Sequence, residues 1–202
     1  KGSGGAEVSI YGRAAHSSRP DLGVNANQKA ADFLYELRLL QKKLDMEPHP
    51  LLGPTTIECT LMNGGLKVNI IPDHARLNIN LRLIPAHKDP EVSENWFKDI
   101  FDKLSKKDPD FNGELTSHRV SDPLNVPLES EVVTTLIEML GTTPVGAPYY
   151  TEAVSYTRSG IPTVICGPGS IDQAHTYDEY ISLEQLDLGY KTYSELVKRT
   201  CF

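Results

Sequence analysis

Hydrophobic and polar positions alternate over residues 6–12, Ala-Glu-Val-Ser-Ile-Tyr-Gly, as they do in a strand with one buried face. After a polar stretch the period changes. From Ala26 onward, Ala30, Phe33, Leu34, Leu37, Leu40 and Leu44 recur at helical spacing. Ile57, Cys59 and Leu61 then alternate with Glu58, Thr60 and Met62, while Leu77, Ile79, Leu81 and Leu83 alternate with Asn78, Asn80 and Arg82. These predict two half-buried strands, with Asn63-Gly64-Gly65 in the connection. Val92, Trp96, Phe97, Ile100, Phe101 and Leu104 form the stripe of an amphipathic helix, and residues 113–120 supply a last, weakly patterned strand. The order β-α-β-β-α-β is the ferredoxin-like split βαβ arrangement. Two helices then cover one face of a sheet whose other face is polar.

After Ser121-Asp122-Pro123 the pattern is of another kind. A helix is expected around 129–140. The run Ile161-Pro162-Thr163-Val164-Ile165-Cys166 is apolar without a break, as in a strand buried on both faces of a parallel or mixed sheet. Gly167-Pro168-Gly169-Ser170 ends it, and a final helix from about Leu183 carries Leu186, Tyr190, Tyr193 and Val197 on one face. The change of pattern places a domain boundary near residue 121, with domains over 1–121 and 122–202.

Composition narrows the functional classes. A net charge of -7 with scattered acidic residues lacks the basic footprint of a nucleic-acid binder. No apolar run approaches the ~20 residues of a membrane span. Cys59, Cys166 and Cys201 lie far apart and are odd in number, which suggests neither a zinc knuckle nor a disulfide framework and fits a reducing cytoplasm. The chain opens Lys1-Gly2-Ser3-Gly4-Gly5 with no initiator Met, and is expected to be a piece of something longer.

Two clusters offer chemistry. His175, Asp178 and Glu179 come after the apolar run, and ligand sites in α/β sheets gather at the carboxyl ends of strands. A neutral imidazole there could bind a metal, with a carboxylate on its second ring nitrogen. Equally, Asp178 or Glu179 could cap a helix and His175 be an ordinary loop residue, since one histidine does not make a metal site. The second cluster is Gly12-Arg13-Ala14-Ala15-His16-Ser17-Ser18-Arg19-Pro20, leading through Asn25 into the first helix. His16 with two arginines at a helix amino terminus could hold an anion, or the segment could be a solvated loop with a capping Ser or Asn. Asn69 and Arg82 lie near strand ends and could simply face solvent.

Five segments taken together go further: residues 12–26 with their Gly-Arg-Ala-Ala-His core, Val68-Asn69-Ile70-Ile71-Pro72-Asp73, Leu81-Arg82-Leu83-Ile84-Pro85, Tyr150-Thr151-Glu152-Ala153, and residues 167–180. In this order the chain resembles the metallopeptidase family that includes acetylornithine deacetylase, succinyl-diaminopimelate desuccinylase and carboxypeptidases. Tyr150-Thr151-Glu152-Ala153 and Ser170-Ile171-Asp172-Gln173-Ala174-His175 are closest to the deacetylase branch. Many relatives have Asp where this chain has Glu152, which is given no catalytic role.

The resemblance implies an α/β protein with an α+β lid, a ferredoxin-like βαββαβ dimerisation domain over 1–121, followed by the carboxy-terminal part of an α/β zinc-exopeptidase-like catalytic domain. His175 matches the last metal ligand. His16 matches the lid histidine that crosses the dimer interface to polarise the scissile carbonyl in the partner's site. Asn69 and Arg82 match lid positions that meet the substrate, Arg82 being suited to bidentate binding of a carboxylate. Gly167, Pro168 and Gly169 match a loop lining the substrate pocket. The family's further ligands, and the Glu-Glu pair that supplies a ligand and the general base, lie upstream of the lid; this chain contains no Glu-Glu dipeptide. His87-Lys88-Asp89 imitates a His-x-Asp metal motif but comes after the end of a lid strand, and is read as coincidence.

The same resemblance leads one to expect a cytoplasmic homodimer acting on a small N-acyl amino acid through two divalent metals, zinc or cobalt. The metals would acidify a bridging water, an upstream Glu would take its proton, and hydroxide would attack the amide. This fragment alone is expected to be inactive. A desuccinylase or aminopeptidase-like activity, and a non-catalytic dimerisation or binding module, are the alternatives; sequence upstream of Lys1 separates the last from the others.

Overall fold

The computed structural model describes residues 1–201. The chain forms two compact units, Lys1–Pro123 with Gly146–Tyr150, and Leu124–Val145 with the chain from Thr151 onward.

The first unit holds β1 (Gly2–Tyr11), α1 (Ala26–Leu44), β2 (Thr56–Gly64), β3 (His74–Leu83), α2 (Pro90–Lys107) and β4 (Asn112–Ser121). The sheet order is β2-β3-β1-β4 and every neighbouring pair is antiparallel, the arrangement the alternating pattern predicts. Both helices lie on one face, over a core of Ala6, Val8, Ile10, Leu77, Ile79, Leu81 and Leu83. Phe33 of α1, with no exposed surface, joins the two helices: its ring centroid is 6.5 Å from Phe97 and 5.6 Å from Phe101 of α2. Truncating a buried phenylalanine of this kind to alanine costs about 3–5 kcal/mol. Asn25 starts α1 by accepting from the N–H groups of Asn27 (3.0 Å) and Gln28 (3.3 Å), and Asp89 starts α2 by accepting from Glu91 (3.0 Å). At the rims of the helix layer Lys103 pairs with the buried Glu36 at 2.5 Å, and Lys29 with Asp108.

Two bulges alter the alternation. Thr60 is the extra residue of β2, between the pairs Cys59–Ile79 and Leu61–Asn78, and its hydroxyl donates to the Asn78 carbonyl at 3.3 Å. One added residue exchanges the faces. Leu61, expected inside with Ile57 and Cys59, therefore shares a face with Asn78 and is 60% exposed. Thr116 plays the same part in β4, donating to the Glu7 carbonyl at 3.1 Å.

The second unit contains α3 (Glu131–Leu140), α4 (Ala153–Arg158) and α5 (Leu183–Cys201), with a turn of 3-10 helix at Ile171–Gln173. Gly141, in the left-handed region at φ 62°, closes α3. The strand expected over Ile161–Cys166 does not form: among the described residues this unit has no strand, and Ile161 and Ile165 are exposed. An apolar run becomes a buried strand only where neighbours supply ladder partners, and no strand of this unit does so. The predicted stripe on α5 is likewise open, with Leu186, Tyr190 and Val197 exposed. Among the described residues no helix is long and apolar enough to cross a membrane.

Candidate functional site

The β1–β3 ladder runs on past the ends of its strands. Gly12 donates to the Asp73 carbonyl (2.8 Å), Ile71 to Ala15 (2.8 Å) and Ser17 to Asn69 (3.0 Å), and His16 pairs with Ile70. His16 and Asn69, 53 positions apart in sequence, are thus held side by side on two zipped loops. Both are exposed. The Nδ1 of His16 accepts the backbone N–H of Ser18 at 3.2 Å and lies 2.8 Å from the Ser18 hydroxyl. In the neutral ring this leaves the proton on Nε2, which can donate outward. The Asn69 carboxamide has no partner among the described residues and is equally available.

The two arginines of this loop are occupied. Arg19 grips Asp21 with two bonds (3.1 and 2.9 Å), and Arg13 donates to the Leu22 carbonyl at 2.9 Å. With Asn25 capping α1, the idea of an arginine anion site in this segment gives way to a capped, solvated loop with His16 at its tip. His87 and Asp89 are also structural: His87 lies 2.9 Å from the Thr55 hydroxyl and Asp89 caps α2.

Arg82 is elsewhere. It sits near the other end of β3, donating to the Ser3 hydroxyl at 2.8 Å. At ~3.4 Å per residue, His74 and Arg82 are already ~27 Å apart along the strand, and His16 lies beyond the His74 end. One copy of this chain therefore brings His16 to Asn69 but not to Arg82.

Near Arg82 the polar face of the sheet carries a cavity of about 390 Å³ lined by residues that include Ser3, Gly5, Glu7, Asn78, Ser117 and Arg119. Sequence reasoning misses Arg119, because the Thr116 bulge blurs the pattern of β4. A signal exists in the alternation of Ser117, Arg119 and Ser121 with His118 and Val120. Glu7 in this cavity is paired with Arg76 at 2.5 Å, and the guanidinium holds its carboxyl below the ordinary range.

In the second unit, the segment Gly167-Pro168-Gly169 is strapped to α5. Tyr193 donates its hydroxyl proton to the Cys166 carbonyl at 2.5 Å, Gly169 donates to the Gln185 side chain at 3.4 Å, and Pro168 packs where Gly189 has no side chain. His175 comes next, exposed, at φ 60°, a left-handed backbone that is uncommon for a non-glycine residue and that gathers at functional sites. Glu179 accepts the backbone N–H of His175 at 3.0 Å. It neither caps a helix nor touches the imidazole; Ser182 caps α5 instead. Among the described residues no three His, Cys, Asp or Glu side chains come together to hold a metal. His175 is a single candidate ligand, and the described residues do not by themselves build a two-metal centre.

The chain belongs to the M20 peptidase family: residues 1–109 match its peptidase dimerisation domain. Among its relatives is the acetylornithine deacetylase of Myxococcus xanthus, 32% identical over 186 residues, an alignment covering 90% of this chain and 48% of that protein. The acetylornithine deacetylase of Photorhabdus laumondii is 28% identical over 200 residues, 96% of this chain and 51% of the relative. The chain thus spans about half the length of the curated relatives it matches. A tripeptidase from Staphylococcus aureus superposes with a TM-score of 0.73 at 21% identity, covering 98% of this chain and 51% of that one, and shares the fold.

Proposed function

We propose that the protein to which this chain belongs hydrolyses the amide of an N-acyl amino acid, with N-acetylornithine as substrate in arginine biosynthesis, and that it does so as a cytoplasmic homodimer with two divalent metals, zinc or cobalt. Residues 1–121 are the lid and dimerisation domain, and 122–202 the last lobe of the catalytic domain. The substrate reading is supported by the relatives named acetylornithine deacetylase, which align along nearly the whole chain. The exposed apolar stripe of α5 and the open 161–166 segment are surfaces that further protein would bury.

The observation that carries the dimeric reading is the separation within the lid. His16 and Asn69 stand at one end of β1 and β3, and Arg82 at the other, ~27 Å or more away at strand rise. A single small amino-acid derivative cannot touch both ends of one copy. If all three residues serve one substrate, His16 and Asn69 come from one subunit and Arg82 from its partner.

In that site the Nε2–H of His16 donates to the oxygen of the scissile carbonyl as negative charge develops on it. Asn69 offers a carboxamide donor beside it. Arg82 presents its planar fork to the substrate carboxylate, and the Gly167–Gly169 backbone lines the pocket. His175 would contribute a metal ligand in its own subunit, and the metals, when bound, would polarise the amide and acidify water.

A panel of N-acetyl, N-succinyl and dipeptide amides, offered to the metal-loaded intact protein, tests the reading. Preference for N-acetylornithine by kcat/KM is expected. Preference for the succinyl amide or a peptide would move the substrate to another branch, and no turnover of any would favour a non-catalytic module.

A further inference from the structure

Gly5 lies in the interior of β1, where glycine weakens a strand, and nothing in the fold requires it. Its φ is not in the left-handed region. A Cβ placed on it would meet only the Ile79 carbonyl at 4.0 Å, an ordinary contact. Its neighbour Gly4 differs: a Cβ there would come within 3.1 Å of the Arg119 carbonyl and 3.2 Å of Leu81 in the core. Packing explains Gly4 and leaves Gly5 unexplained. What Gly5 does provide is a bare floor for the cavity on the polar face.

The residues around that floor are set by register. Gly5 is opposite Asn80 on β3 and Arg119 on β4, and Ser3 is opposite Arg82 and Ser121. Only β1 separates Arg82 from Arg119, so their strands are ~10 Å apart, and the β1 positions between them carry a serine and a glycine. Arg119 lines the cavity over Gly5, and Arg82, bonded to Ser3, stands at its edge on the same face of the sheet. Two carboxylates of this face are engaged, Glu7 with Arg76 (2.5 Å) and Thr116 (3.0 Å), and Glu114 with the Tyr11 hydroxyl (2.6 Å); Glu58 of β2, opposite Asn80, is exposed and forms no ion pair among the described residues. Arg119 has no acidic partner among the described residues, and Arg82 is held only by a neutral hydroxyl. The face is ion-paired toward His74, while toward Ser3 neither guanidinium group is in an ion pair among the described residues, with the exposed Glu58 across from Asn80.

We propose that Arg119 and Arg82 form a clamp for the carboxylate of an amino-acid-derived ligand lying on the bare backbone at Gly5, with Arg119 a specificity-determining residue. The carboxylate of the substrate is its occupant, which rests on the N-acyl amino-acid reading above. Two forks on one carboxylate leave few of its lone pairs without a donor, and an uncharged amide in that place would leave both guanidinium groups unpaired.

The test compares N-acetyl-L-ornithine with its carboxamide, N-acetyl-L-ornithinamide, on the metal-loaded intact protein. Arg119→Gln, at an exposed position that the core does not use, is expected to lower kcat/KM for the acid by about tenfold or more, chiefly through KM, and to leave the carboxamide unchanged. Gly5→Leu, which fills the floor, should raise KM for the acid in the same way, and Arg119→Lys should recover part of the loss. Equal effects of Arg119→Gln on acid and carboxamide, or none on either, overturn the clamp while leaving the hydrolase reading intact. If the wild type hydrolyses neither compound, the N-acetylornithine reading fails and calorimetric titration with N-acetyl-L-ornithine decides the clamp. Binding that Arg119→Gln abolishes supports it; binding that Arg119→Gln leaves alone, or no binding to the wild type, overturns it.

Discussion

Ser18 holds His16 in one protonation pattern: its backbone N–H donates to Nδ1 at 3.2 Å, with its hydroxyl 2.8 Å from the same atom. An accepting Nδ1 puts the neutral ring's proton on Nε2, the atom left free to meet an oxyanion. In the intact enzyme His16→Ala is expected to lower kcat by about 10²–10³, the usual loss for one such donor. Ser18→Ala keeps the backbone N–H and should retain most activity. Steady-state kinetics of both variants check this, and a Ser18→Ala enzyme as impaired as His16→Ala would show that the hydroxyl, not the N–H, governs the ring.

Arg82 makes a separate case because its planar fork, not its charge alone, is the property invoked. Arg82→Lys keeps the charge and loses the fork, so kcat/KM for an N-acyl amino acid should fall by about tenfold or more, equivalent to at least ~1.4 kcal/mol of transition-state binding. Unchanged kinetics would return Arg82 to a strand residue whose role ends at its bond to Ser3.

Whether a feature was legible in the sequence depended on whether its pattern was local. The strict alternation of Leu77, Ile79, Leu81 and Leu83 shows the inner face of β3 directly, and the structure buries all four. Leu61 misled, because one inserted residue at Thr60 exchanges faces without changing the apolar character of the segment. Arg119 stayed hidden behind the second bulge. The 161–166 run reads as a buried strand from composition, yet a strand is made by its neighbours, and none lies among the described residues of that unit. The nearness of His16 to Asn69, and the remoteness of Arg82, are facts of ladder register that no local pattern contains.

Acid should loosen the lid before it touches the carboxylates. His118 packs edge-on to Phe97 at 6.2 Å with its Nε2 3.0 Å from the buried Ser93 hydroxyl, and burial pushes its pKa below the ordinary 6.5, with Glu94 pulling weakly the other way. Burial lowers His87, beside Trp96 and Thr55, in the same sense, opposed weakly by Glu47. A histidine whose folded pKa is depressed binds its proton better when unfolded. The stability it contributes is therefore full above pH 6.5 and is lost as pH falls below that value through the folded pKa. The Lys29 ion pair lowers Asp108 below its ordinary 3.8, so that contribution goes only in stronger acid. Urea midpoints should drop between pH 7.5 and 5.5, and His118→Phe should make the drop smaller. An undiminished drop in the variant would move the effect to other groups.

The two ends of the lid lead to the most demanding prediction, that His16 works in the partner's site. His175 belongs to a different unit of the chain from His16, and within the lid Arg82 is ~27 Å or more from the His16 end at strand rise. Suppose each site uses His175 and Arg82 of one subunit with His16 and Asn69 of the other. As homodimers, His16→Ala and His175→Ala enzymes then lack one group in every site, and both should be nearly inactive. In a mixed dimer, the His16→Ala subunit supplies His175 to its own site and receives His16 from the partner, so one site is whole and the other lacks both. Random exchange at equal concentrations puts half the subunits' partners in the mixed pairing, which restores about one quarter of wild-type sites. Activity that climbs toward this level as exchange proceeds, followed in parallel by a tag on one variant, is the expected result. If exchange is complete by the tag and activity stays at the level of the separate variants, His16 acts in its own subunit's site or takes no part in the chemistry.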